Sequence, residues 1–125
     1  MKTILVVEGF SAAQQFLRET LESKGYETLG ATSCDKAYQT LINHPQRINL
    51  VLTDYHIHES SGLDLLKKIK ENPALKKIPV IFLTEETNAE IINSAAQLRF
   101  SSWIKKPYRS DVLMSEIERA LKVGT

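Results

Sequence analysis

Only one cysteine, Cys34, stands in the 125-residue chain, so no internal disulfide can form and a reducing compartment fits. No apolar run approaches the roughly 20 residues that a membrane-spanning helix needs. Met1-Lys2 runs straight into a short strand-like segment, which does not read as a signal peptide. Neither sign of charge dominates. A formal net charge of +1 gives no reason to expect nucleic acid or an anionic membrane as partner. Internal repeats, low-complexity tracts and linkers are also missing. What is present is ordinary: 42% hydrophobic and 25% charged residues, in a length that suits one domain with a real core. The expectation is a cytoplasmic single domain, residues 1–125.

Apolar and β-branched runs mark the strands. Thr3–Val7 (TILVV) reads as the first, 26–31 as the second and 49–53 (NLVLT) as the third. Residues 79–83 (PVIFL) read as the fourth, and Ser102–Lys105 as the fifth. Helical spacing fills the gaps. A helix over 12–24 is expected to be capped by Ser11, to bury Phe16, Leu17 and Leu21, and to end at Gly25. One over 35–43 is expected to bury Ala37, Tyr38, Leu41 and Ile42, and to stop at Pro45. A helix from Gly62 to Glu71 carries Leu63, Leu66 and Ile69 on one side. Helices over 88–98 and 110–122 present Ile91, Ile92 and Ala95, then Leu113, Ile117 and Leu121.

Five strands alternating with five helices predict an α/β fold: a doubly wound, five-stranded parallel sheet with helices on both faces. The common flavodoxin-like strand order for five such units is 2-1-3-4-5, with the functional crevice at the carboxyl ends of strands 1 and 3. Four polar residues each sit at the carboxyl end of a strand: Glu8, Asp54, Thr84 and Lys106. Strands 1 and 3 are neighbours in this order, so Glu8 and Asp54 are expected roughly 5 Å apart laterally. Strand 4 brings Thr84 beside Asp54. Strand 5 lies roughly 10 Å from strand 3, a gap that a lysine stem crosses. Two close carboxylates repel and invite a cation, whereas the ammonium and the hydroxyl suit an incoming anion.

Over essentially its whole length the chain resembles the receiver domain of two-component response regulators, including the stand-alone chemotaxis type. The resemblance rests on ILVV then Glu8, LVLTD ending in Asp54, Gly62-Leu63, PVIFLT ending in Thr84, and Lys105-Lys106-Pro107-Tyr108. It implies that Asp54 accepts a phosphoryl group from a phosphohistidine, supplied by a sensor histidine kinase or phosphotransfer protein. It also implies a magnesium ion held by Glu8, Asp54 and the backbone carbonyl of His56. Lys106 and Thr84 would contact the phosphoryl oxygens. Thr84 and Trp103 would act as the switch that reshapes the face of helix 4, strand 5 and helix 5 for a downstream protein partner. The Lys106–Pro107 peptide is expected to be cis. No enzyme activity is implied beyond phosphotransfer and self-dephosphorylation.

Departures from the family pattern leave a second reading open. Gly9 stands where a second acid would be a direct metal ligand. Losing even an outer partner typically costs ~10–100-fold in metal affinity. On this reading Gly9→Asp strengthens magnesium binding. Glu85 follows Thr84, where a small residue is usual. At roughly 6 Å from a dianionic phosphoryl group it would cost on the order of 5 kcal/mol at an effective dielectric of 20, less if solvated. Ile57-His58 and Leu98-Arg99-Phe100 are also unusual, and the latter suggests an altered turn before the last strand. The alternative is therefore a pseudo-receiver, a protein-interaction module that is not phosphorylated. A small flavin or nucleotide protein is a third class, but GFSAAQQ after strand 1 is a poor phosphate cradle. Each residue also has an ordinary role available: Thr84 a strand end, Trp103 static core, Lys106 a surface lysine. His56, His58 and Glu59 form a solvated loop or a transition-metal site.

Overall fold

In chain order, the computed structural model, which describes residues 1–123, runs β1 (Thr3–Val7), α1 (Ser11–Ser23), β2 (Glu27–Ala31), α2 (Cys34–Asn43), β3 (Leu50–Thr53), β4 (His56–Ile57) and β5 (Ser60–Ser61). It continues through α3 (Gly62–Glu71), β6 (Val80–Thr84), α4 (Ala89–Ala96), β7 (Ser102–Lys105) and α5 (Ser110–Val123). Five strands pair in parallel in the order β2-β1-β3-β6-β7. That is the expected 2-1-3-4-5 arrangement. The sheet is doubly wound because alternate residues of each strand feed opposite faces. Leu5, Val7, Val51, Val80 and Phe82 meet α2, α3 and α4 through Ala37, Leu41, Leu65, Leu66, Ile69 and Ala95. Ile4, Val6, Leu50, Leu52, Ile81 and Leu83 meet α1 and α5 through Leu17, Leu21, Leu113 and Ile117. Strands buried on both faces are why the runs read as continuously apolar.

Several expectations need correction. Phe16 is 66% exposed and Ile42 is 43% exposed. In α1 the sheet-facing pair is Leu17 and Leu21, four residues apart, and Phe16 lies a helical step to the side. In α2 the buried line runs through Cys34, Ala37 and Leu41, which turns Ile42 outward. Leu63 is only half-buried, and Leu65 joins Leu66 and Ile69 in the core instead. Ile91 and Ile92 are half-buried too. Ser11 is the first residue of α1 rather than its cap; Phe10 holds the cap position without a side-chain bond. Gly25 does end that helix, at φ +95° with its N–H on the Glu22 carbonyl.

One further feature lies at the carboxyl edge. A six-residue hairpin, β4 with β5, pairs His56 with Ser61 and Ile57 with Ser60. It was not legible because it is too short and polar to show a strand period. At the opposite edge, ahead of β7, Arg99 in the Leu98-Arg99-Phe100 segment holds φ +64°.

Candidate functional site

The register of the sheet puts the site together. β1 and β3 end level, with Val7 opposite Thr53, so Glu8 and Asp54 leave neighbouring strands side by side. The ladder extends one step beyond, through the Glu8 N–H to the Ala31 carbonyl and the Asp54 N–H to the Val7 carbonyl. These bonds fix both backbones where the carboxylates emerge.

Lys106 follows β7, and its N–H donates to the Thr84 carbonyl at 2.9 Å. Its stem crosses the sheet edge as expected. Nζ donates to Asp54 Oδ2 at 3.0 Å and to Glu8 Oε2 at 3.2 Å. The other carboxylate oxygens accept backbone donors: Glu8 Oε1 from Phe10 N–H at 3.3 Å, and Asp54 Oδ1 from His56 N–H at 3.3 Å. Glu8 and Asp54 side chains are 8% and 15% exposed, and Lys106 26%. Burial pushes the ammonium down, but bonding to Asp54 and the charges of Asp54 and Glu8 outweigh it, so Lys106 lies above the usual lysine value. Lys106–Pro107 is cis.

Thr84 is the last residue of β6 and is fully buried, its hydroxyl accepting the Glu86 N–H at 3.3 Å. Trp103 is half-buried among Tyr55, Phe82 and Phe100, whose ring centroids lie 5.8, 4.8 and 5.6 Å away. Its indole N–H donates to the Glu86 carbonyl at 3.0 Å. Switch candidates Thr84 and Trp103 thus hold the same loop from two directions. Glu85 is exposed, the solvated case in which its repulsion is weakest.

Glu86 was missed by sequence reasoning. Its Oε1 lies 2.8 Å from His56 Nε2, while Oε2 accepts from Thr87 and Asn88 N–H. The Asn88 N–H and then His56 hold its carboxyl below the usual glutamate range. The pair joins the loop after β3 to the loop after β6, and no local pattern announces a contact between them. His56, His58 and Glu59 do not come together as a metal site: the His56 ring faces Glu86, and His58 Nε2 donates to the Gly9 carbonyl at 3.1 Å. Among the described residues no three His, Cys, Asp or Glu converge to hold a metal. Cys34 opens α2 and is buried, its thiol on the Ser61 carbonyl at 3.3 Å.

For magnesium, the donors are of the right kind. Glu8 and Asp54 offer hard carboxylate oxygens close enough to share one ammonium, and magnesium takes few protein carboxylates while keeping several waters. Gly9 adds no side-chain ligand.

Comparison with known proteins follows the same lines. The family model described as "Response regulator receiver domain" matches residues 4–118. Chemotaxis protein CheY1 of Helicobacter pylori is 30% identical over 119 residues, 94% of this chain and 95% of that protein. Transcriptional regulatory protein CrdR of the same organism is 35% identical over 118 residues, 94% of this chain and 54% of that protein. A response regulator receiver domain protein from Clostridium thermocellum superposes with a TM-score of 0.91 at 26% identity, over 98% of this chain and 96% of that one.

Proposed function

The chain belongs to the response regulator receiver domain family, and on that premise we propose that Asp54 accepts a phosphoryl group from the phosphohistidine of a sensor kinase or phosphotransfer protein. Receiver domains are generally signal transducers rather than enzymes, and they act between histidine kinases and downstream partners. The observation that carries the proposal is the shared ammonium of Lys106 on Asp54 and Glu8.

Asp54 Oδ attacks phosphorus, a new O–P bond forms as the N–P bond of phosphohistidine breaks, and the imidazole leaves with that electron pair and takes up a proton. A carboxylate is a weak nucleophile, so positioning and charge neutralisation do most of the work. Backbone bonds to Val7 and His56 hold Asp54 in place. Lys106 releases Glu8 or Asp54 to bond a phosphoryl oxygen. Glu8, Asp54 and the His56 carbonyl would hold magnesium, which when bound supplies positive charge against the phosphoryl oxygens.

The Thr84 hydroxyl, now occupied by the Glu86 N–H, turns to the phosphoryl group. That loosens the loop which Trp103 also holds. A shallow groove lined by Trp103, Lys105, Pro107, Tyr108, Val112 and Glu116 lies along the β7–α5 side, where a downstream protein would read the change. No helix of the described residues is long and apolar enough to cross a membrane, and we place the protein in the cytoplasm as one receiver domain over 1–125.

The test is direct. Incubation with a small phosphodonor and magnesium should add the mass of one phosphoryl group, and Asp54→Asn should abolish the gain. No gain in the unsubstituted protein, or a gain that survives in Asp54→Asn, overturns the reading.

A further inference from the structure

Gly9, next to Glu8 in the chain, carries no side chain, and the imidazole of His58 fills the space beside it. A Cβ added at Gly9 would lie 2.9 Å from His58 Nε2, 3.2 Å from Cδ2 and 3.3 Å from Cε1. Three atoms of one ring at that range mean that the ring lies over the glycine. Nε2 is 3.1 Å from the Gly9 carbonyl, which only accepts, so this nitrogen carries the ring proton. The Phe10 ring is tilted toward the imidazole, with centroids 6.2 Å apart and planes at 57°.

The backbone brings residue 58 to this position. His58 has φ +54°, the left-handed region that favours glycine. It sits in the two-residue turn between β4 and β5, and its neighbour Ile57 is 1% exposed. The buried Ile57 anchors the hairpin, and the turn carries residue 58 to the side of residue 9, where Nε2 meets the Gly9 carbonyl. Such strain persists only where surrounding contacts over-determine it.

We propose that His58 and Gly9 together hold the Glu8–Asp54 pocket to two carboxylates, because the His58 ring occupies the volume that an acidic side chain at position 9 would need. Gly9 and His58 are a matched pair: the ring has room because residue 9 has no Cβ. The imidazole is no substitute ligand, since magnesium selects oxygen and Nε2 is already committed to the Gly9 carbonyl. Gly9→Asp by itself therefore does not restore a third carboxylate. The new Cβ displaces the ring and its bond, and the displaced ring competes with the carboxylate for the same space.

This inference rests on the proposed magnesium role of Glu8 and Asp54, and its test separates the two. Magnesium titrations followed by calorimetry would compare the unsubstituted protein, Gly9→Asp, His58→Ala and the double variant, with circular dichroism confirming that each is folded. The single variants should stay within about threefold of the parent, while the double variant tightens by ~10-fold or more, the scale of one lost or gained ligand-shell group. If Gly9→Asp alone captures the whole gain, His58 does not govern the site and the inference falls, while the magnesium reading stands. If the double variant binds no better than the parent, the inference falls; if none of the four binds magnesium, the cation role of Glu8 and Asp54 falls with it. Should His58→Ala fail to fold, His58→Gly removes the ring and suits the positive φ.

Discussion

Lys106 illustrates how much one side chain can settle. Without it, Glu8 and Asp54 would face each other largely out of water with no counter-charge among the contacts they make here. Lys106→Met should therefore destabilise the protein by about 1–3 kcal/mol, below the ~3–5 kcal/mol of a fully buried pair because the ammonium is 26% exposed. The pH dependence has a definite sign. A lysine whose folded value is raised contributes fully below its unfolded value and loses that contribution as pH rises through the folded one. The affected range is alkaline: the difference between parent and Lys106→Met should be level from about pH 7 to about pH 9 and shrink above the ordinary lysine value of 10.5. Urea unfolding of both proteins across that range is the measurement. A difference that collapses below pH 9 would mean that Lys106 is not the charge that holds the two acids.

At the scale of elements, the connection from β3 to α3 is the demanding one. It must turn the chain, present Asp54 and the His56 carbonyl, and start a helix within a few residues. Gly62 makes this possible by close approach. Its N–H donates to the Tyr55 carbonyl at 2.6 Å, and a Cβ there would lie 2.5 Å from the Asp54 carbonyl and 2.7 Å from Phe82 Cε1. One of those neighbours is main chain and the other a fully buried ring, so neither yields easily. Gly62→Ala should cost about 1–3 kcal/mol through overcrowding and slow phosphoryl acceptance, because the nearest crowded atom is the main-chain oxygen of Asp54 itself. Urea unfolding checks the first effect and the rate of mass gain the second. Unchanged stability would show that the start of α3 can slide outward. The loop after β6 is held differently, by the Glu86 carboxylate on Thr87 and Asn88 and by the Trp103 indole. Those are polar bonds at a partly exposed edge, which makes this loop the easier one to rearrange.

Across the whole molecule, the two apolar clusters are separate in contact but not in backbone. Leu5 and Val7 serve one face, and Ile4 and Val6 serve the other, from the same strand. Loss of either cluster therefore removes support from strands that the other needs. The molecule should unfold as one cooperative unit, as small single domains usually do. Trp103 packs against the α2–α4 side, whereas far-ultraviolet circular dichroism reports helices on both sides. Their urea transitions should coincide. A Trp103 transition at clearly lower urea than the dichroism would show that the α4–β7 edge opens by itself.

Much of this arrangement is legible in the chain alone. Thr3–Val7 and Ser102–Lys105 are strands as read, and alternation of strand and helix leaves a doubly wound sheet as the economical solution. Strand order then carries Glu8, Asp54, Thr84 and Lys106 to one edge. These features follow from local signals, apolar runs and their punctuation, which survive without knowledge of distant neighbours. Phe16 and Ile42 were misread because apolarity marks a residue as able to be buried, while the azimuth of the helix on the sheet decides whether it is. The pairing of His56 with Glu86 spans 30 residues and that of His58 with Gly9 spans 49. Loop side chains such as these take their direction from a strained turn and from neighbours on other strands. Their contacts exist only after the sheet has brought separate strand ends together, so tertiary structure alone decided them.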